Sequence, residues 1–86
     1  MNTYELLISS PEGEIFKGPI TMLSVRGTQG ELAVMAGHIP FVTSIVACDC
    51  KIELDDGTKK IGHTDGGLLT VGKDAVTLLS GSFAWK

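Results

Sequence analysis

The sequence predicts an all-β fold, a sandwich or barrel of nine or so short strands that forms one domain over residues 1–86. Apolar and polar residues alternate over short stretches, which is the period of a strand with one buried face. Turn signals built on glycine, proline and aspartate recur roughly every 8–12 residues, as in sandwiches and barrels. The apolar spacing of an amphipathic helix is absent throughout.

The predicted strands follow one another with short turns between them. Residues 48–55 show the clearest alternation, and Asp56-Gly57 directly after them is a strong hairpin signal. The tail 80–86 is left unassigned, because its two aromatic residues fit either packing on the sandwich or the start of another element. In order, the predicted strands cover residues 3–9, 14–17, 20–26, 32–35, 41–46, 48–55, 59–64, 68–71 and 75–79.

Length and composition limit the function as well as the fold. A chain of 86 residues has room for one core, and 43% apolar with 20% charged residues is typical of a globular domain. The net charge of −3 provides no basic surface for nucleic acid or anionic lipid. The first residues lack the pattern of a secretory signal, so we expect the two cysteines to be reduced in a cytosolic setting.

The stretch 27–40 has the most distinctive local chemistry. Gly27 and Gly30 permit a tight turn, because glycine reaches positive φ without a steric penalty. A short apolar strand follows, and a Gly-His-Ile-Pro segment ends it, since proline cannot donate to a ladder. The arrangement is expected to hold Glu31 and His38 in fixed positions on the surface, where each is either an ordinary polar residue or a partner contact.

Three patterns that suggest chemistry are weak in this context. Residues 67–74 approach a phosphate-binding loop, but the last position is Asp74, and the intervening residues form an apolar strand. Cys48 and Cys50 share a strand face, and His63 across the hairpin is a third candidate ligand, yet a tetrahedral metal site needs four ligands. No nucleophile motif accompanies the histidines. The sequence therefore predicts no catalytic residue, no metal and no cofactor.

The central stretch contains the motif Gly27-x-x-Gly30-Glu31-Leu32-x-Val34-x-x-Gly37-His38-x-Pro40. This motif resembles the signature of one family, the epsilon subunit of rotary ATP synthases. Further resemblance lies in Phe16-x-Gly18, in the Asp56-Gly57 turn and in the closing strands that follow Gly66-Gly67. The match extends over about residues 3–80.

The resemblance implies a flattened antiparallel β-sandwich of about ten short strands, which is a non-catalytic part of the central rotor stalk. Such a domain binds the gamma subunit, contacts the polar loops of the c-ring and couples ion-driven rotation to ATP synthesis, at the cytoplasmic face of the bacterial membrane. The resemblance implies no binding to nucleic acid and no insertion into lipid. It also implies that the isolated domain is a monomer. The residues expected to contact the c-ring are Gly27, Thr28, Gln29, Gly30 and Glu31. The residues expected to contact gamma are His38, Ile39, Pro40, Phe41 and Val42.

Two further expectations complete the prediction. Family members usually continue as a two-helix hairpin that inhibits ATP hydrolysis and in some members binds ATP. We expect this carboxy-terminal helical hairpin to be absent after Lys86, so neither property is assigned to these residues. The alternative function is a free-standing β-sandwich module that binds carbohydrate or peptide.

Overall fold

The computed structural model describes residues 2–37 and 39–86, and within them every regular element is a β-strand. The described residues include no helix with the length and apolar character needed to cross a bilayer. The strands are Tyr4–Ser10 (β1), Gly13–Ile20 (β2), Met22–Gly27 (β3), Gly30–Met35 (β4), Phe41–Ile45 (β5), Cys48–Glu53 (β6), Lys59–Thr64 (β7), Gly67–Val71 (β8), Ala75–Ser80 (β9) and Phe83–Trp85 (β10).

The strands form two layers connected at one corner. The first sheet has the order β5-β8-β9-β1-β2, and the second sheet has the order β10-β7-β6-β3-β4. At the corner, β3 pairs with β6 through its first residues and with β5 through Gly27, which lies opposite Ile45. Strands that pass from one layer to the other at a bend are typical of sandwiches with crossed sheets. The all-β sandwich predicted from the sequence is confirmed.

The core lies between the two layers and is built from the alternating residues of both. The Tyr4 hydroxyl donates to the Val34 carbonyl at 2.6 Å, which connects β1 of the first sheet to β4 of the second. Burial raises the pKa of Tyr4 well above its ordinary value, so the hydroxyl stays protonated. The buried apolar residues are Tyr4, Leu6, Ile8, Ile20, Leu23, Val25, Val34, Ile45, Cys50, Ile52, Leu69, Val71, Val76 and Leu78.

The topology differs from the sequence prediction in two details. In the part of the chain that the structure describes, eight strand pairs are antiparallel as expected, but β1 and β9 are parallel. No short hairpin connects them, so no turn imposes the antiparallel direction. The predicted strand 14–17 also extends through Pro19 to Ile20. Proline is tolerated there because β2 is an edge strand, which among the described residues pairs with β1 alone.

Aromatic packing brings the two ends of the strand order together. Trp85 of β10 makes an edge-to-face contact with Phe16 of β2, with ring centroids 6.2 Å apart. Phe83 contacts Trp85 in the same way at 5.1 Å. The Lys60 ammonium lies 4.6 Å from the centroid of the Trp85 ring. The unassigned tail is therefore a strand that packs on the sandwich.

Candidate functional site

The β3–β4 hairpin presents the predicted c-ring residues at one end of the sandwich. Gly27 lies opposite Gly30, so only Thr28 and Gln29 form the loop, and both are exposed. Arg26 and Glu31 lie opposite each other on the outer face, with Nη2 and Oε1 3.4 Å apart. Their side chains are 58% and 80% exposed, so this ion pair contributes little to stability. The turn is a compact, solvent-facing corner with an accessible carboxylate.

The two glycines of this turn have different physical roles. Gly30 has φ of +123°, a conformation that side chains with a Cβ rarely adopt. Gly27 does not need positive φ but needs space. A Cβ at Gly27 would lie 3.1 Å from Leu32 Cδ2 and 3.4 Å from the Ser44 carbonyl oxygen. The first glycine therefore permits the close approach of β5, and the second permits the turn itself.

Backbone hydrogen bonds connect this turn to β5. The Thr28 amide donates to the Ser44 carbonyl at 3.2 Å, and the Val46 amide donates to the Arg26 carbonyl at 3.1 Å. The Arg26 amide donates to Cys48 Sγ at 3.3 Å, at the point where β3 changes partner from β6 to β5. A half-buried thiol thus occupies the gap in the ladder. The turn is part of the two-sheet framework and not a separate loop.

The predicted gamma residues lie at the start of β5 and just before it. Ile39, Pro40, Phe41 and Val42 are exposed, although Phe41 lies opposite the buried Val71 and is on the core side of the strand. Val42 faces outward and is 62% exposed. The prediction for His38 falls outside the described residues.

Two leucines extend the exposed apolar surface around Val42. Leu68 of β8 lies opposite Leu79 of β9, and their side chains are 41% and 49% exposed. Val42 lies opposite Thr70, two residues further along β8 than Leu68, on the same outer face. We call Val42, Leu68 and Leu79 the apolar strip. It follows the outer face of the first sheet across β5, β8 and β9.

The sequence reasoning identified Val42 but missed the two leucines. The available signal was the pair of doublets, Leu68-Leu69 and Leu78-Leu79, each inside a predicted strand. Neighbouring residues of a strand point to opposite faces, so one leucine of each pair must leave the core. Leu69 and Leu78 are fully buried and their neighbours face solvent. An apolar doublet in a two-layer fold therefore indicates an exposed apolar position.

The structure does not assemble the metal site considered for the cysteines. His63 lies opposite Asp49, so it is on the outer face, whereas Cys50 points into the core. His63 Nδ1 is 3.1 Å from Asp49 Oδ1, and Lys86 Nζ is 2.9 Å from Asp49 Oδ2. Burial raises the pKa of Cys50 to about 12, which keeps the thiol protonated. Within residues 2–37 and 39–86, no three potential ligands among His, Cys, Asp and Glu cluster as a metal site would require.

The segment that approaches a phosphate-binding loop is a strand, as the sequence predicts. Residues 67–71 form β8 and pair with β9 along their whole length. A Cβ at Gly67 would overlap the Leu79 carbonyl oxygen, so this glycine serves close strand packing. The backbone amides needed to hold a phosphate are therefore committed to a sheet.

Known proteins share both the sequence pattern and the fold. The chain is 35% identical over 80 residues to the ATP synthase epsilon chain of Acinetobacter baylyi, covering 93% of this chain and 58% of that protein. A chain of the Euglena gracilis mitochondrial ATP synthase superposes with a TM-score of 0.91 at 21% identity, covering 96% of this chain and 53% of that one. A chain of the Tetrahymena thermophila mitochondrial ATP synthase, from its central stalk and c-ring, gives 0.75 at 14% identity, with coverages of 92% and 63%.

These relatives are longer than the chain, which spans between about half and two thirds of their length. The model of one domain family, described as the ATP synthase delta/epsilon chain beta-sandwich domain, matches residues 3–86. That match extends over nearly the whole sandwich, including the hairpin and the apolar strip. The chain belongs to the ATP synthase delta/epsilon chain beta-sandwich domain family.

Proposed function

We propose that the chain is a non-catalytic domain of the rotor stalk of a proton- or sodium-driven ATP synthase. It binds the gamma subunit and the c-ring and helps couple rotation to ATP synthesis, as a peripheral component at the cytoplasmic face of the bacterial membrane. The observation that carries the proposal is the exposed apolar strip, which includes Val42, in a domain of this family. The family membership favours this function over a carbohydrate- or peptide-binding module.

The apolar strip supports a protein contact on the first sheet. Three branched aliphatic side chains, each between 41% and 62% exposed, lie on adjacent strands of one face. Covering such half-exposed side chains is favourable by about 1 kcal/mol each, because full burial yields about 1.5–3 kcal/mol. Thr70 of β8 and Thr77 of β9 lie opposite each other on the same face and add polar groups to it. We assign this face, together with residues 39–42, to the gamma subunit.

The hairpin end supports a second, more polar contact. Its carboxylate, Glu31, is 80% exposed, and the loop residues Thr28 and Gln29 are exposed and uncharged. Polar side chains on a compact backbone are suited to contact with the polar loops of the c-ring. A single rim charge contributes at most about 1 kcal/mol, so shape and rigidity matter more here than the charge.

The gamma assignment is tested with a double variant and a matched control. Leu68→Asp combined with Leu79→Asp places two charges on the apolar strip without changing the core. Ile61→Asp is the control, because Ile61 is also 41% exposed but belongs to the second sheet. We expect the double variant to bind purified gamma at least 100-fold more weakly, since each buried charge costs more than the tenfold equivalent of 1.4 kcal/mol.

The readout is the dissociation constant, measured by isothermal titration calorimetry on variants whose far-UV spectra match the parent. The control should bind like the parent. Equal weakening by the control, or unchanged binding by the double variant, would contradict the assignment of this face. A parent chain that fails to bind gamma at micromolar concentration would contradict the proposed function itself.

A further inference from the structure

One sheet edge has little protection against pairing with another chain, because its only charged side chain is Glu31. Natural sheets protect their edges with short strands, prolines, inward charges, bulges or covering elements. β2 contains Pro19 and pairs with β1 through an irregular register, and β10 has only three residues. β4 has six residues with neither proline nor lysine, and its register with β3 is regular. Within residues 2–37 and 39–86, β4 pairs with β3 alone.

The direction of the backbone groups on β4 follows from its neighbour. The Arg26 amide and carbonyl bond to Cys48 and Val46, on the side of β3 away from β4. Successive residues of a strand direct their backbone groups to opposite edges, so the residues of β3 that alternate with Arg26 face β4. Their partners on β4 are Gly30, Leu32 and Val34. The residues between those partners therefore direct their N–H and C=O groups outward.

These residues are Glu31 and Ala33, and both are exposed. They present two donors and two acceptors along one edge, in the arrangement of an incomplete antiparallel or parallel ladder. The side chain of Ala33 is small, which leaves room for a neighbouring strand to approach. Leu32 and Val34 point into the sandwich and keep the strand anchored while its edge stays open.

We propose that this edge binds an extended segment of the gamma subunit, which adds to the second sheet as one more strand. The proposal rests on the proposed function and names a contact with gamma outside residues 38–42, which are the residues predicted to bind gamma. β4 begins at the hairpin assigned to the c-ring and ends close before the segment 39–42 assigned to gamma. A partner seated on the gamma side and reaching toward the ring thus passes along β4.

The chemistry of the edge predicts which kind of segment binds to it. Main-chain hydrogen bonds provide most of the affinity in strand addition, and pockets for alternate side chains provide specificity. A basic residue of the segment next to Glu31 would meet a carboxylate whose present partner is the exposed Arg26. A small or apolar residue would face Ala33. The inferred ligand is therefore an extended stretch with a lysine or arginine followed, two positions away, by a small side chain.

A proline substitution at one position of β4 tests the backbone edge separately from the rest of the surface. Ala33→Pro removes only the outward N–H, and proline is compatible with an edge strand at such a position. Ala33→Ser changes the side chain but keeps the N–H and is the control. We expect Ala33→Pro to bind purified gamma about tenfold more weakly, as for one lost interfacial hydrogen bond, and Ala33→Ser to bind like the parent.

Hydrogen exchange of the unmodified chain provides an independent measurement, even if the proline variant fails to fold. The Glu31 and Ala33 amides should exchange rapidly in the free chain and at least tenfold more slowly in the complex with gamma. Unchanged exchange at both amides, in a complex that forms, would overturn the added strand and leave the proposed function intact. Absence of any complex with gamma would overturn both.

Discussion

Replacing Gly30 by valine tests whether the β3–β4 hairpin is a contact element or part of the folding core. Gly30 has φ of +123°, and an added Cβ would meet no atom within 4 Å. The cost of Gly30→Val is therefore backbone strain alone, about 1–3 kcal/mol of unfolding free energy. For a domain of this size, each kcal/mol lowers the melting temperature by roughly 4–8 °C. We expect a folded but weakened domain whose turn has moved.

A matched glycine separates the loss of stability from the loss of function. Gly13, in the β1–β2 hairpin, has φ of +128° and likewise no atom within 4 Å of an added Cβ. Gly13→Val should lose a similar amount of stability in urea denaturation. It should retain ATP-driven proton or sodium pumping when incorporated into the synthase in membrane vesicles. Gly30→Val should reduce that pumping several-fold, because its altered turn no longer fits the polar loops of the ring.

Two results would refute this reasoning. If Gly30→Val unfolds the isolated domain while Gly13→Val does not, the hairpin is required for folding and its contact role is unsupported. If both variants reduce pumping equally, the loss comes from general destabilisation. Identical pumping in Gly30→Val and the parent, with the expected loss of stability, would contradict the assignment of this turn to the c-ring.

Two further predictions concern the side-chain hydrogen bonds around β7 and β10. Thr64→Val should destabilise the domain by about 1–3 kcal/mol in urea denaturation, because the buried Thr64 hydroxyl bonds to Ser80 Oγ and accepts from the Gly66 amide at 3.1 Å; an unchanged midpoint would mean that these groups find other partners. The pKa of Asp49 is lowered below its ordinary 3.8 by the hydrogen bonds from Lys86 first and His63 second. The contribution of the Asp49 carboxylate to the free energy of unfolding is present above pH 3.8 and is lost as the pH falls through the lowered pKa of the folded state. We therefore expect Trp85 fluorescence to report loosening of β10 below about pH 4. Asp49→Asn should abolish that step, and its persistence in the variant would assign it to another carboxylate.

Much of the fold could be predicted because period-two patterns specify faces independently of tertiary context. Tyr4, Leu6 and Ile8 were expected on one face of a strand, and all three are buried. The hairpin at Asp56-Gly57 also lies where the turn chemistry places it, with Gly57 at φ +88° and the Thr58 amide bonded to Asp56 Oδ1 at 2.8 Å. These features depend on residues close in sequence, and local chemistry determines them.

The features that escaped prediction depend on residues distant in sequence. The parallel pairing of β1 with β9 joins strands separated by most of the chain, and no alternation pattern specifies strand direction. The role of Gly62 likewise cannot be predicted from its neighbours in sequence. A Cβ at Gly62 would overlap the Phe83 ring, so the glycine leaves space for an aromatic residue of β10. The apolar strip needed knowledge of which leucine of each doublet faces the core. Each case requires the packing of two layers, which one strand pattern does not determine.

Under the proposed function, the two candidate contacts are connected by a short stretch of β5. β5 has its first residues at the apolar strip and its last residues hydrogen-bonded to the hairpin, where Ser44 accepts from Thr28. Only a few residues of one strand, about 3.3 Å each, separate the two surfaces. A load on the hairpin therefore reaches the strip through the backbone ladder and not through flexible side chains. Gly27 makes this possible, because it pairs with both Gly30 and Ile45, and a side chain there would press against Leu32 and the Ser44 carbonyl.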